Sequence, residues 1–133
     1  MKPFQSDLQE ISTMLVVSDL VKSERFYTNY LGFETVESIQ GLRRLKREHF
    51  YLYLITFSPP TSDRPDVSLE MLNHTEKTNV NLVFRVRDCN KVYSELRKNG
   101  LTFLTEPQSP SWGGRRVFTR DPDGYLIEFE QAE

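Results

Sequence analysis

Few side chains in this sequence could do chemistry, and their spacing excludes most familiar reaction centres. There is one cysteine, Cys89, and there are two histidines, His49 and His74. No cysteine spacing of the zinc-binding type is present, and one cysteine cannot form an intrachain disulfide. No GxGxxG or Walker loop cradles a phosphate, and no GxSxG elbow presents a serine. Two segments stand out instead. Trp112-Gly113-Gly114-Arg115-Arg116 sets an indole, two residues without side chains and two guanidiniums in succession. The indole offers a stacking face, the glycines permit close backbone approach, and an arginine can clamp a carboxylate or phosphate through two hydrogen bonds. The second segment, Asp121-Pro122-Asp123-Gly124-Tyr125-Leu126-Ile127-Glu128, ends on a carboxylate. Buried, Glu128 would be a candidate general base with a pKa raised by desolvation. Each has a structural alternative. Trp112 could instead cover a core edge or a dimer seam, and an inward arginine could pair with Glu128 or lie in solvent.

The elements that must position these groups fall into two similar runs. Ile11 to Val17 reads as a strand. Ser18 or Asp19 caps a helix over Leu20 to Leu31, whose Phe26, Tyr27, Tyr30 and Leu31 recur at helical spacing, and Gly32 stops it. Phe33 to Ile39, Leu42 to Arg47 and His49 to Phe57 read as strands, with Gln40-Gly41 as a turn. Ser58 to Arg64, with two adjacent prolines and Pro65 beyond, is a loop, and Val67 to Leu72 could be a short strand. The pattern then restarts. Asn79 to Val86 is a strand of period two, and Asp88 caps a helix with the stripe Val92, Tyr93 and Leu96 that ends at Asn99-Gly100. Leu101 to Leu104 is a short strand, and Val117 to Thr119 pairs with Tyr125 to Glu130 around the Asp-Pro-Asp-Gly turn.

Val17-x-Asp19 and Val86-x-Asp88 stand 69 residues apart, and each half passes from capped helix through a glycine to an apolar residue that starts a strand. This is one βαβββ unit used twice. The fold class is α+β: two βαβββ modules, about 11–57 and about 79–131 around a linker of about 58–78, form a cupped mixed sheet with helices on the outer face. Residues 1–133 make one domain, and two modules together should enclose a cavity that neither encloses alone.

Bulk properties narrow the partners. Seventeen basic against nineteen acidic residues give a net charge of -2, which argues against a general nucleic-acid binder. No apolar run approaches the roughly 20 residues of a membrane span, and the polar N-terminus lacks a signal-peptide core. A cytoplasmic protein is expected, with no membrane and no nucleic-acid partner.

Ser12-Thr13-Met14-Leu15-Val16-Val17-Ser18-Asp19, Phe26-Tyr27 and Leu31-Gly32-Phe33 resemble the opening of a glyoxalase or bleomycin-resistance domain. Phe84-x-Val86-x-Asp88, Trp112 to Arg116 and Asp121 to Glu128 fit its second half. The resemblance to this family, the vicinal oxygen chelate superfamily, spans about residues 11 to 130. It implies paired modules, a cup often completed by dimerisation, and members that are either enzymes or binding proteins. Fold alone therefore does not choose a function. In bleomycin-binding relatives the position of Trp112 presents an aromatic to a flat ligand.

The family's metal enzymes place ligands on the first and last strand of each half. Carried over, those positions fall on Ser12, Tyr53, Asn81 and Glu128. Strand parity turns Ser12, Met14 and Val16 away from the first helix, and Asn81, Val83 and Arg85 away from the second. By the same rule Glu128 points inward, because Tyr125, Ile127 and Phe129 pack toward a helix. Three of the four positions are neutral side chains, and a divalent catalytic metal usually needs three or more His, carboxylate or Cys ligands. No metal and no other cofactor is expected. A rebuilt site would have to recruit His49 or His74 to Glu128.

Among the remaining groups, only one of Arg115 and Arg116 can face the cup, with Phe118 on the face of Arg116. A Glu128–Arg116 pair would neutralise the orphan carboxylate. Tyr51, Tyr53 and Phe57 share one strand face as pocket lining or core. The run Arg43, Arg44, Lys46, Arg47 reads as a solvated face or a protected strand edge. Cys89 opens the second helix, where the dipole lowers a thiol pKa, yet no neighbouring histidine suggests a nucleophile.

The expected function is a small-molecule binding protein of the glyoxalase/bleomycin-resistance type, a homodimer without the catalytic metal. Ser12, Tyr53, Asn81, Trp112, Arg116 and Phe118 are its candidate ligand contacts, and Glu128 is its one candidate catalytic residue. Two alternatives stay open: a metal-dependent lyase, isomerase or dioxygenase-like enzyme built around Glu128, and a metal-free enzyme with Glu128 as base.

Overall fold

The computed structural model describes residues 3, 7–71 and 76–133. His74 and Leu72, named above as a metal ligand and a strand end, lie outside the described residues. The chain divides into two compact units, Met1–Met71 and Leu72–Glu133.

In the first unit, β1 (Ser12–Val16), α1 (Leu20–Asn29), β2 (Glu34–Ile39), β3 (Leu42–Arg47) and β4 (Phe50–Ile55) form a four-stranded sheet of order β1-β4-β3-β2. β1 runs parallel to β4, which the α1 crossover requires, and the other pairs are antiparallel. The Asp19 side chain accepts from the Lys22 N–H at 3.0 Å, satisfying one donor of the first helical turn. At the far end Gly32, at φ +71, lets the Phe33 N–H return to the Tyr27 carbonyl at 3.1 Å. One face of the sheet packs under α1: Leu15, Leu45, Leu52 and Leu54 are at most 2% exposed. Each such leucine contributes about 1.5–3 kcal/mol by leaving water. Tyr27 is fully buried among them, edge-to-face with Phe26 at 5.2 Å and Phe33 at 5.8 Å.

The second unit holds β5 (Asn81–Arg85), α2 (Cys89–Lys98), β6 (Arg115–Arg120) and β7 (Leu126–Gln131), with strand order β5-β7-β6. Asp88 repeats the cap of Asp19, accepting from the Lys91 N–H at 3.0 Å. Between α2 and its sheet lie Cys89 of the helix, Val117 of β6, and Ile127 and Phe129 of β7, all buried. Both units are mixed sheets with a helix on one face, so the architecture is α+β.

Leu101 to Leu104 differs from the expected strand. The Leu104 N–H reaches the Phe118 carbonyl at 3.0 Å, but the Thr102 carbonyl is taken by the Thr119 hydroxyl at 2.5 Å. A side chain thus occupies an acceptor that a ladder would use, and the segment stays an extended edge without regular pairing. The loop after β4 closes on itself through the Ser58–Leu69 bridge and Arg64, which donates to the carbonyls of Pro59 and Val67 at 3.1 and 2.8 Å.

Candidate functional site

Each sheet has one face under its helix and one open face, and the candidate residues lie mainly on the open faces. In the first unit the register fixes who stands beside whom. Ser12 pairs with Tyr51 and Met14 with Tyr53 across β1 and β4, while Arg44 pairs with Tyr53 and Lys46 with Tyr51 across β3 and β4. Ser12 is exposed, Tyr51 and Tyr53 are half-buried, and Met14 is 44% exposed. Phe57 does not extend this row, because β4 ends at Ile55 and the Phe57 ring stands in solvent.

The basic run is not a solvated face or an edge. β3 is an interior strand, so its residues alternate between the helix side and the open side; Arg43, Arg44 and Lys46 are half-buried, and Arg47 at the strand's end is exposed. Arg43 turns to the helix side, where its Nε meets Glu24 at 3.0 Å, and the same carboxylate accepts from the Thr35 hydroxyl. Arg47 donates to the Leu31 carbonyl at the end of α1. Arg44 faces the open side with its guanidinium 4.1 Å from the Tyr51 ring centre and 5.8 Å from that of Tyr53, and it pairs with Glu10. Burial works against its charge, but Glu10 and then Tyr53 outweigh that and raise its pKa above the ordinary arginine value. Its Nε is buried with no hydrogen-bond partner among the described residues. Sequence reasoning missed Arg44 and Glu10. The alternation along β3 carried the signal for Arg44, whereas Glu10 lies outside any strand and left none.

In the second unit Glu128 on β7 is 5% exposed, flanked across the strands by Val83 and Phe118. The Asn81 amide donates to its Oε1 at 2.9 Å. The suggested Glu128–Arg116 pair does not form. Arg116 stands opposite Glu130 rather than Glu128, and its guanidinium lies 5.3 Å from the Phe118 ring centre and 6.0 Å from that of Trp112. Arg115 points to the other side, bonding Asn90 at 2.8 Å and Ser109 at 3.0 Å. Trp112 is 54% exposed and so does not plug the core. Its two glycines serve the chain's own packing: a Cβ on Gly114, at φ +70, would lie 2.3 Å from the Gln131 carbonyl.

Two further groups depart from their sequence reading. His49 is not on a strand; it sits exposed in the β3–β4 turn, next to Glu48 at φ +53. Cys89 is fully buried, and desolvation raises its thiol pKa despite the helix terminus and the opposing charge of Arg115. Among the described residues no three His, Cys, Asp or Glu side chains come together, and no helix is long and apolar enough to cross a membrane.

Residues 11–129 match the family described as the Glyoxalase/Bleomycin resistance protein/Dioxygenase superfamily. The chain is 28% identical over 132 residues to a lactoylglutathione lyase of Salmonella typhimurium, covering 92% of each. Among solved structures it resembles a lactoylglutathione lyase from Agrobacterium tumefaciens, with TM-score 0.73, 19% identity and coverage of 95% and 96%. It also resembles TnmS3, an antibiotic binding protein from a Streptomyces species, with TM-score 0.69, 21% identity and coverage of 97% and 100%. Likenesses at such identities speak to the fold.

Proposed function

The chain belongs to the glyoxalase/bleomycin resistance protein/dioxygenase superfamily, and from that premise we propose that it is a small-molecule binding protein that works without the family's catalytic metal. The observation that carries this reading is the state of Glu128. It is the one metal-ligand type of side chain among Ser12, Tyr53, Asn81 and Glu128, and its Oε1 accepts a hydrogen bond from Asn81. An amide that donates toward the carboxylate fills the place where a second ligand would have to offer a lone pair. Ser, Tyr and Asn are poor donors to a divalent cation at neutral pH, so these residues do not fit a catalytic metal.

The ligand rests on the open sheet faces. Each unit offers its own contacts on its own face: Ser12 and Tyr53 in the first, and Trp112, Arg116, Phe118 and Asn81 in the second. Rings offer stacking surface there, and arginine adds a cation that both stacks and hydrogen-bonds. Chains of similar sequence include a lactoylglutathione lyase, and chains of similar fold include an antibiotic binding protein, so the fold accommodates a binding protein as well as a lyase. The working form we propose is a homodimer.

A second reading rests on the burial of Glu128: a metal-free enzyme in which this carboxylate takes a proton from the bound molecule. The experiment is elemental analysis of protein purified without chelator, followed by a thermal-shift screen of aromatic and anionic compounds. Stoichiometric nickel, zinc, iron or manganese would overturn the metal-free reading in favour of a lyase-like enzyme. Turnover of a stabilising compound, lost in Glu128→Gln, would favour the second reading over simple binding.

A further inference from the structure

Arg44 on the open face of the first sheet pairs with Glu10 and is flanked by two tyrosine rings. An arginine presents Nε–H and the terminal N–H on the same side as a fork whose spacing matches the two oxygens of a carboxylate. In the first unit the Arg44 Nη2 meets Glu10 Oε1, while the neighbouring Nε is buried without a partner among the described residues. Glu10 therefore uses one arm of a two-armed site. A buried N–H left unmatched is costly, and native folds seldom tolerate one without a reason.

The guanidinium plane is also held. Tyr51 lies against it at 4.1 Å from ring centre to Cζ, Tyr53 flanks it at 5.8 Å, and the Lys46 ammonium stands 5.5 Å from the Tyr51 ring. Glu10 precedes β1 by two residues and lies outside the ladder, which begins at Ser12. Moving it breaks no strand pairing. Beside the site, Ser12 and Met14 leave accessible surface on which a ring could lie.

We propose that Arg44, with Tyr51 and Tyr53, is a binding site for the carboxylate of a planar organic monoanion, and that Glu10 is an internal occupant which the ligand displaces. This rests on the reading that the open faces take a small molecule, and it names the ligand's chemical class. Local charge selects a monoanion. Glu34 and Glu37 stand across from Lys46 and Arg44, so the two cations are already matched by two carboxylates once Glu10 has left. A ligand with one negative charge replaces Glu10 one for one, whereas a dianionic phosphate would leave the face with excess negative charge.

The test is calorimetric titration of the wild-type chain, Glu10→Gln and Arg44→Gln with 2-naphthoate and, in parallel, with neutral 2-naphthamide. Removing the internal competitor should tighten naphthoate by about fivefold in Glu10→Gln. Arg44→Gln should weaken naphthoate by about tenfold or more, and naphthamide should respond to neither change. Glu10→Gln leaves the arginine in place, so its result stands even if Arg44→Gln misfolds. The inference falls if Glu10→Gln binds naphthoate no tighter than wild type, or if naphthamide matches naphthoate. It falls equally if neither the wild-type chain nor Glu10→Gln binds naphthoate. Binding of both probes that ignores both substitutions would overturn the Arg44 site while leaving small-molecule binding intact.

Discussion

Asn81→Ala isolates the hydrogen bond on which the reading of Glu128 turns. Asn81 is itself exposed, so truncation removes little packing, whereas Glu128 is 5% exposed and accepts from Asn81 at 2.9 Å. A hydrogen bond to a charged group contributes about 1.5–3 kcal/mol, and a buried carboxylate left short of a donor bears the loss. Water entering at the truncated position offsets part of it, so the expected cost is about 2 kcal/mol. At a urea slope of about 1.5–2 kcal/mol per molar, that lowers the unfolding midpoint by roughly 1 M. Glu128→Gln removes the charge but keeps an acceptor. In that background Asn81→Ala should cost only about 1 kcal/mol, the value of a neutral bond, giving a coupling of about 1 kcal/mol. Urea titrations of the four proteins at pH 7, followed by far-UV circular dichroism, measure each corner of the cycle. Additivity within about 0.4 kcal/mol would refute the argument, because the amide would then not be stabilising a charged Glu128.

Two other substitutions probe the parts that frame the site. Gly114→Ala meets both a positive φ and a carbonyl 2.3 Å from the new Cβ, and should destabilise by about 2 kcal/mol. Gly41→Ala shares the positive φ but has its nearest neighbour at 3.7 Å, and should cost only about 1 kcal/mol. Because Trp112 is the sole tryptophan and lies against Gly114, its emission should shift in the first variant and not in the second; an unmoved spectrum in Gly114→Ala would be the contrary result. Burial raises the Cys89 thiol pKa, with Asp88 and Glu128 adding to the effect and Arg115 opposing it. The unfolded chain then loses the thiol proton first, so stability present below the ordinary thiol pKa of about 8.5 declines as pH climbs through it toward the folded value. Cys89→Ala should lack that part of the alkaline decline, and equal loss of urea midpoint in both proteins between about pH 7.5 and 9.5 would count against it.

What could be read from sequence was local or periodic. Asp19 and Asp88 announce their helices because a short acceptor before an apolar stripe satisfies amides that have no other partner. Gly32 and Gly100 end them because the chain needs a positive φ there. Alternation turns Leu15 and Ile127 toward the helices, and both are buried. The failures were all questions of partnership. Leu-Thr-Phe-Leu at 101–104 alternates like a strand, but whether it pairs depends on the Thr119 hydroxyl fifteen or more residues away. His49 was assigned to a strand that begins one residue later, after Glu48 makes the turn. The run from Arg43 to Arg47 looks solvated until β3 is known to be interior, since a row of charges does not reveal how many strands flank it. Parity turns Glu128 away from the helix, but its partner Asn81 is 47 residues distant, and the sequence suggests Arg116 instead.

Registering the two sheets on each other sharpens the argument against a cation. Ser12 stands opposite Tyr51 as Asn81 stands opposite Leu126, and two residues further along β4 and β7 come Tyr53 and Glu128. Across the antiparallel pair, Tyr53 faces Arg44 and Glu128 faces Phe118. The halves therefore hold complementary sets at corresponding places: a ring beside a guanidinium in one, a carboxylate beside a ring in the other. A fixed positive charge next to the Tyr53 position repels a divalent ion that Tyr53 would have to help hold, and a neutral phenol offers little in return. The same guanidinium attracts a carboxylate, and the phenyl ring of Phe118 beside Glu128 supplies stacking surface rather than a donor atom. On the proposed reading, the neutral side chains at three of the four strand positions stand beside neighbours suited to rings and organic anions. Arg44→Met should therefore weaken organic anions without creating affinity for nickel or zinc, and equilibrium dialysis of the variant that finds either metal bound stoichiometrically would refute this.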